Sequence, residues 1–347
     1  MGARLLGRHQ LNTIVAEKRS ARLAAPKAHA VNSRTLEICA AAGLSMAQIH
    51  RAATPVGEGS FVRLVENLST PPFGSLPYER QDDAVRKLTP YPWINIAQPE
   101  FEDVIERSLA TVSCVQVRRG LLWRSCESDG ATFVSNLVDQ GSGEQVAISS
   151  RYLIAADGAG SPVRDAMQVP MEGPENLTSN MMIHFQADLR SVVGDHPGIL
   201  YFLFGPTNSR VLIAYDVGRT WVLMHRCRPE DTVEDFGPAR CHRLVSAAIG
   251  QEVPDLNIKT VRPWSMSVQV AEQYRVGNCF LAGDAAHRFP PSGGLGLNTG
   301  IGDIDNLCWK IAAVEAGWAD PRLLDGYESE RREVAQVNAA QSYENAS

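Results

Sequence analysis

A single segment near the C-terminal end constrains the fold of this chain more than any other. Residues 279–311 read CFLAGDAAHRFPPSGGLGLNTGIGDIDNLCWKI. The first four residues form an apolar run that predicts a strand, and this strand delivers Gly283 and Asp284 to the edge of a sheet. A loop rich in proline and glycine follows, and the apolar residues after it repeat at helical spacing. The segment therefore predicts a strand, a glycine loop and a helix in succession.

The start of this predicted helix is suited to a negatively charged group. Backbone N–H groups without intrahelical partners converge there, and the helix dipole adds partial positive charge. Glycines allow a flat ligand to approach the backbone closely, and Asp284 can accept hydrogen bonds from the hydroxyls of a sugar-like chain. The alternative is a tight turn with ordinary core packing, which needs no ligand.

Two further segments end an apolar run with an acid. Asp157 follows YLIAA and opens a glycine turn before Ser161-Pro162, which predicts the start of a short helix. Asp-Gly turns are common, so a purely structural role stays equally open. Glu17 ends LNTIVAE, and in dinucleotide folds an acid at the end of the second strand binds ribose hydroxyls. For Glu17 the default is a solvated charge cluster.

Charge and cysteine usage exclude several classes of function. The formal net charge of −6 disfavours a general nucleic-acid binder, which needs a basic patch against phosphates. The seven cysteines form no CxxC pair, which favours a reduced, cytoplasmic protein without a structural metal. No apolar run approaches the roughly 18 residues of a membrane helix, and residues 1–10 lack the apolar core of a signal peptide.

The two ends of the chain alternate strand and helix signals and enclose a strand-rich middle. Helices are predicted at 33–42, before Gly43, and at 98–109, with Pro99 in the first turn. A meander of strands is predicted at 111–117, 131–138 and 144–149, and antiparallel strands at 180–188, 199–204, 210–216 and 221–226. We therefore expect one nucleotide-type α/β domain, built from discontinuous pieces around an inserted domain.

In this order, the segments resemble the FAD-dependent aromatic hydroxylases, flavoprotein monooxygenases of the p-hydroxybenzoate hydroxylase and phenol hydroxylase type. The resemblance covers nearly the whole chain, and its most specific part is GDAAHRFPPSGGLGLNTGIGDIDNLCWK, which looks like the family's Gly-Asp motif. The other matching segments are VAEKR at 15–19, SRTLEICAAAGL at 33–44, QPEFEDVI at 98–105, YLIAADGAGSPVR at 152–164 and ERREVAQVNAAQS at 330–342.

The resemblance implies an α/β fold with two domains. A Rossmann-like FAD-binding domain would comprise residues 1–60, 93–168 and 271–347. An inserted, mainly antiparallel β-sheet domain at 61–92 and 169–270 would bind the substrate.

The resemblance also implies roles for single residues in binding FAD. Glu17 would bind the adenosine ribose, and Arg34 and Gln98 would contact the ribityl-pyrophosphate region. Asp157 would support the dinucleotide, and in the family its motif is also linked to NAD(P)H.

At the flavin end, Asp284 would hold the ribityl chain. The backbone of Gly296, Leu297 and Asn298 would face the flavin ring, and Pro291 would lie beside the substrate. No catalytic residue is named by the resemblance.

The implied activity is that of a monooxygenase that uses FAD, NADPH or NADH, and molecular oxygen. It would hydroxylate an aromatic or polyketide-like small molecule through a flavin hydroperoxide, in secondary metabolism or aromatic breakdown. A flavin dehydrogenase or oxidase of the same fold is a weaker option. Homodimer formation stays open, because nothing in the sequence demonstrates it.

The chain departs from the family at its beginning. A GxGxxG loop should precede the ribose acid by about 20 residues, and Glu17 lies too near Met1 for that. The sequence therefore predicts a domain without its first strand and that loop. Three explanations stay open: a misassigned start codon, a short form that still binds flavin weakly, and a degenerate homologue. The alternative function is accordingly an inactive homologue or binding protein.

Several polar and aromatic residues fall on the predicted strands of the middle region. Because side chains alternate between the two faces of a sheet, His184, His225, Tyr201 and Tyr215 can each face a pocket or solvent. Trp221 is interpreted as a packing residue, as is Trp264. His287 is interpreted as a residue that orders the loop after Asp284.

Overall fold

The helices and strands come from a computed structural model, which describes residues 1–23, 25–79, 84–205 and 210–346. The helices are α1 (Gly2–Arg8), α2 (Ser33–Ala41), α3 (Met46–Ala52), α4 (Val56–Gly59), α5 (Gln98–Leu109), α6 (Pro162–Ala166), α7 (Arg190–Val193), α8 (Pro238–Ile249), α9 (Leu295–Glu315) and α10 (Asp325–Ala346). Short 3₁₀ turns lie at Val85–Lys87, Gly283–Ala285 and Pro321–Leu324.

The strands are, in chain order, β1 (Thr13–Glu17), β2 (Ala30–Val31), β3 (Phe61–Val65), β4 (Gly74–Pro77), β5 (Ile94–Asn95), β6 (Val115–Arg119), β7 (Leu121–Ser128), β8 (Phe133–Asp139), β9 (Gln145–Ser150), β10 (Leu153–Ala155), β11 (Met171–Glu172), β12 (Thr178–Gln186), β13 (Leu200–Leu203), β14 (Arg210–Asp216), β15 (Thr220–Arg226), β16 (Asn257–Met266), β17 (Gln269–Ala271), β18 (Arg275–Val276), β19 (Cys279–Leu281) and β20 (His287–Arg288).

The largest sheet contains the strands of the middle region in the order β16-β12-β15-β14-β13-β3-β4. Its neighbours pair antiparallel except β13 and β3, which are parallel. One face packs against α8 in a core that includes Phe185, Trp221 and Val245. The prediction of an inserted, mainly antiparallel sheet is therefore confirmed.

Two pairs of parallel strands provide the dinucleotide-type part of the fold. In the described residues β1 pairs with β6 and β10 pairs with β19, and the two pairs belong to separate sheets. Ala155 lies opposite Leu281, and the Ala282 N–H donates to the Ala155 carbonyl at 2.9 Å. Because β10 and β19 run in the same direction, Asp157 and Gly283 emerge at the same edge.

The predicted meander is wrong in one strand. The segment predicted at 111–117 becomes β6, which pairs parallel with β1. The antiparallel sheet is instead β7-β8-β9, and β7 supplies its first strand. A short apolar run indicates a strand, but its pairing depends on contacts with Thr13–Glu17, which lie far earlier in the chain.

The long helix α9 lies in the centre of the molecule. It contributes Leu307, Cys308 and Ile311 to one buried cluster and Ile301 to a second. The helices α1, α2 and α10 all contact it. Within the described ranges, no helix combines the length and the apolarity that crossing a membrane requires.

Candidate functional site

The turn after β19 holds Asp284 at the surface. Gly283 has a φ of +59°, a left-handed conformation that glycine adopts without strain. The turn lies directly on α9, because a Cβ added to Gly300 would come within 3.1 Å of the Gly283 Cα. Asp284 is exposed, and no described residue donates a hydrogen bond to its carboxylate. Its oxygens are therefore available to a ligand.

The start of α9 presents free backbone donors. Its N-cap residue is Gly294, with a φ of +62°, and no side chain caps the first turn. A Cβ added to Gly296 would have no atom within 4 Å, so the backbone there faces open space. The first N–H groups of a helix lack intrahelical acceptors, and this end of α9 can therefore hold an electron-rich group.

Asn298 contributes to this site in a different way from its neighbours. Its side-chain oxygen accepts from the Asn32 N–H at 3.0 Å and the Thr35 hydroxyl at 2.7 Å, and its nitrogen donates to the carbonyls of Ala30 and Gly294. The buried side chain is thus fully occupied in joining α9 to α2 and β2. Only the backbone of Asn298 can face a ligand.

Alanine substitutions at Gly294 and Gly296 are expected to change the free energy of unfolding in opposite directions. A methyl at Gly294 would need a left-handed backbone and would lie 2.7 Å from the Ala30 Cβ. We expect Gly294→Ala to lower the free energy of unfolding by about 2 kcal/mol. Gly296→Ala meets no atom and improves helix propensity, so it should raise that free energy by up to about 1 kcal/mol. Urea denaturation measures both, and equal effects would contradict the described conformation.

The Asp157 turn lies beside the Asp284 turn. One Asp157 oxygen accepts from the Val163 N–H at 3.3 Å, and the other is buried without a partner among the described residues. Arg164, which sequence reasoning did not single out, joins the two turns. Its buried guanidinium donates to the carbonyls of Ala159, at 3.0 Å, and Ala285, at 3.2 Å. The sequence shows Arg164 at the end of DGAGSPVR, but no nearby pattern indicates that Ala285 is its partner.

A polar cleft of about 140 Å³ contains Glu17, expected at the adenosine ribose, and Gln98, expected at the ribityl-pyrophosphate region. Glu17, at the end of β1, and Gln98, at the start of α5, both line it, together with Arg19, Lys27 and Arg119. Glu17 accepts a hydrogen bond from the Arg19 N–H at 2.8 Å. A carboxylate beside several cations can bind hydroxyls while the cations attract phosphate.

Gln98 connects this cleft to the start of α9. Its backbone N–H donates to the Ala28 carbonyl at 2.9 Å, and its side-chain oxygen accepts from the Ala28 N–H at 3.3 Å. Two residues later, the Ala30 carbonyl accepts from Asn298. The segment from Ala28 to Ala30 thus runs from one part of the site to the other.

The remaining two expected residues are exposed at the edge of the site. Arg34, on α2, forms an ion pair with Asp305 of α9 at 3.1 Å and a longer one with Glu37 at 3.7 Å. Pro291 is exposed in the loop before α9, and its carbonyl accepts from the Gly294 N–H. The structure thus places the Arg34 guanidinium at Asp305 of α9, and Pro291 in the loop just before that helix begins.

The polar residues of the large sheet divide between its two faces. Tyr201 belongs to the core under α8, and His225 contacts Phe236 of that core edge-on at 5.7 Å. Tyr215 lies on the opposite side, where its hydroxyl donates to the Lys27 carbonyl at 2.6 Å. His184 alternates with the core residues Ile183 and Phe185 and therefore also faces that side.

His184 is a buried base on the face that carries Tyr215. Neither ring nitrogen has a partner among the described residues, and its exposed fraction is 5%. Burial, and to a smaller extent the charge of Lys259, lowers the pKa of His184 below its usual value. The imidazole is therefore neutral near pH 7 and offers one donor and one acceptor.

Comparisons with known proteins identify the family. A family model described as FAD binding domain matches residues 1–342. The chain is similar to tetracenomycin A2 monooxygenase-dioxygenase of Streptomyces glaucescens, with 31% identity over 98% of this chain and 64% of that protein. It is also similar to 2,4-dichlorophenol 6-monooxygenase of Cupriavidus pinatubonensis, with 31% identity over 95% of this chain and 57% of that protein.

Solved structures agree with the sequence comparisons. A ternary complex of aklavinone-11 hydroxylase with FAD and aklavinone matches with a TM-score of 0.91 and 27% identity, over 99% of this chain and 65% of that one. The chain spans 54–64% of the length of the first curated relatives that it matches. By its family model and its relatives, the chain belongs to the FAD-dependent aromatic hydroxylase family.

Proposed function

We propose that this chain binds FAD between its Gly283–Asp284 turn, the start of α9 and the cleft at Glu17. We further propose that it provides the flavin and substrate sites of a monooxygenase. The proposal depends on one observation about two neighbouring groups. The exposed Asp284 carboxylate accepts no hydrogen bond from a described residue, and the nearby start of α9 is uncapped, with Gly296 facing open space. Bound FAD would supply transfer of electrons from NADPH or NADH to oxygen, and insertion of one oxygen atom into the substrate.

The donors and acceptors of the site fit the parts of FAD. Asp284 can accept from ribityl hydroxyls, and Glu17 from the ribose, because carboxylates accept hydrogen bonds from sugar hydroxyls. The N–H groups at the start of α9 suit the electron-rich edge of the ring. Arg19 and Lys27 in the cleft suit the pyrophosphate. These residues would bind and orient the cofactor.

The face of the large sheet opposite its core suits an aromatic or polyketide-like substrate. Leu76, Phe202 and Phe204 are partly exposed there, and Phe204 contacts Phe73 edge-on at 5.7 Å. Tyr215 and the neutral His184 supply polar groups on the same face. Flat apolar surface with a few polar groups is typical of pockets for such small molecules.

The proposal also keeps the two-domain division expected from the sequence. Among the described residues, the buried members of the core under α8 all belong to the segments 61–92 and 169–270. This supports a substrate domain of those segments inserted into an FAD-binding domain of 1–60, 93–168 and 271–347.

The first test is flavin uptake by the chain itself. The purified protein is incubated with excess FAD, desalted, and its visible absorption spectrum recorded, with Gly296→Ala as the matched variant. We expect retained flavin in the wild type and less in Gly296→Ala, since its methyl would project into the space proposed for the ring. A wild-type protein that retains no flavin would overturn the proposal for this chain.

The second test separates oxygen insertion from other flavin reactions. Oxidation of NADPH and NADH is screened with phenolic and polycyclic aromatic compounds under ¹⁸O₂, and the masses of the products are measured by mass spectrometry. One ¹⁸O atom in the product is the expected result. Substrate turnover without ¹⁸O would indicate a dehydrogenase or oxidase instead.

A further inference from the structure

A buried carboxylate on α9 connects four separate pieces of the chain. Asp303 has no solvent exposure. Its Oδ2 accepts from the Gly283 N–H at 3.1 Å and from His287 Nε2 at 2.8 Å, and its Oδ1 accepts from Arg331 Nε at 2.9 Å. Asp303 therefore joins the turn after β19, the strand β20 and the helix α10 to α9.

The charge balance around Asp303 keeps it ionised. Burial alone would raise its pKa, but the hydrogen bonds and charges of His287 and Arg331 outweigh burial and hold the pKa below its usual range. An ionised carboxylate only accepts hydrogen bonds. His287 Nε2 must therefore carry a proton, and His287 acts as a donor to Asp303.

The chain around this carboxylate is closely packed. The Gly283 turn touches Gly300 of α9. Arg331 crosses α9 at Gly302, where a Cβ would lie 2.8 Å from its guanidinium, and donates to the Thr299 carbonyl at 3.2 Å. His287 stacks on Phe289 with ring centroids 4.6 Å apart. The Gly283 turn is thus joined to α9 both by packing against Gly300 and by the hydrogen bond to Asp303.

We propose that Asp303 is a positioning residue for FAD, acting through the Gly283 turn and resting on the function proposed above. The carboxylate of Asp284 and the N–H groups at the start of α9 must reach one ligand at the same time. No described residue holds the Asp284 side chain itself, so its position depends on the turn. Asp303 fixes that turn to α9, and His287 and Arg331 fix Asp303. A binding group is effective only when its support is rigid.

We call Asp303 and its three hydrogen-bond donors, on Gly283, His287 and Arg331, the clamp. The variant Asp303→Asn tests the clamp with and without cofactor. Asparagine keeps the volume but offers one oxygen where three donors now bond, so at least one donor loses its partner. In the FAD-free protein, we expect amide exchange in the peptide containing Gly283 to accelerate at least tenfold. We expect the Kd for FAD, measured by quenching of flavin fluorescence, to rise at least tenfold. The control is Asp255→Asn, at an exposed aspartate distant in sequence.

Amide exchange and the Kd for FAD distinguish a failure of the clamp from a failure of the positioning role. Unchanged exchange would overturn the clamp. Faster exchange with an unchanged Kd would overturn the positioning role, because the turn would then move without affecting the cofactor. A wild-type chain that binds no FAD would overturn the proposed function itself, and the exchange experiment would still report on the clamp.

A second pair of variants covers the case in which Asp303→Asn does not fold. His287→Gln retains a nitrogen donor near the position of Nε2, whereas His287→Leu has similar size and no donor. We expect Leu to raise the Kd for FAD at least fivefold and Gln to restore most of the wild-type value. Equal Kd values for the two variants would overturn the proposal, since volume alone would then explain the role of His287.

Discussion

Replacement of Asp284 by alanine is expected to lower the affinity for FAD about 30-fold and to leave the fold intact. The carboxylate is exposed and has no partner among the described residues, so the protein loses no internal hydrogen bond. A bound ribityl chain would lose charge-assisted hydrogen bonds worth about 2 kcal/mol. Titration of flavin fluorescence with the variant measures the change, and urea denaturation checks the fold.

The matched control for Asp284→Ala is Asp255→Ala. Asp255 is also an exposed aspartate, but it lies between α8 and β16. Both variants remove one negative charge, so a nonspecific electrostatic effect would weaken FAD binding in both. We expect only Asp284→Ala to bind weakly. If the wild type binds FAD and Asp284→Ala binds it equally well, the carboxylate does not contact the cofactor.

Local patterns in the sequence predict much of the site because its parts are continuous in the chain. The strand β19, the turn at Gly283 and the helix α9 all follow from residues 279–311. The helix α5 begins at Gln98 with Pro99 in its first turn, as expected. Gly43 has a φ of +75° just after α2. In each case neighbouring residues determine the backbone, through capping, proline or glycine.

The residues that hold these parts together could not be predicted in the same way. Asp303 binds Gly283 across 20 residues, and Arg164 binds Ala285 across 121. In sequence both look like ordinary charged residues close to a glycine or proline. Their burial, which makes each hydrogen bond costly to lose, follows only from the assembled fold. The same limit explains why β6 was predicted to join the wrong sheet.

Asn298 illustrates a different limit. The sequence correctly predicts the helix on which it lies, and the resemblance directs attention to its backbone. Its side chain joins Asn32, Thr35 and Ala30 to α9, and no pattern near Asn298 indicates these partners. The shape of the site therefore depends on one amide that satisfies four groups at once. Such an amide is highly sensitive to substitution, because Ala30 and Thr35 are buried and would lose a hydrogen-bond partner.

Trp221→Ala is expected to have the largest effect on stability, about 4 kcal/mol lost from the free energy of unfolding. Trp221 has no exposed surface, stacks on Phe185 with an interplanar angle of 11°, and contacts Tyr201 at 5.9 Å. Its indole N–H donates to the Val217 carbonyl at 3.2 Å. Alanine would leave a cavity at the centre of the core under α8, and the Val217 carbonyl would keep only its hydrogen bond from the Leu189 N–H.

The interpretation of Trp221 as a packing residue, and not as part of a substrate cage, depends on this result. Trp318→Ala is the control, because Trp318 is 69% exposed and its removal creates no cavity; its effect should stay below about 1 kcal/mol. Urea denaturation followed by circular dichroism measures both variants. If Trp221→Ala loses less than about 1 kcal/mol but weakens binding of an aromatic substrate, the tryptophan faces the pocket, and the assignment of the two faces of the sheet is reversed. Loss of stability in Trp221→Ala alone would instead support the face of Tyr215 and His184 as the one available to substrate.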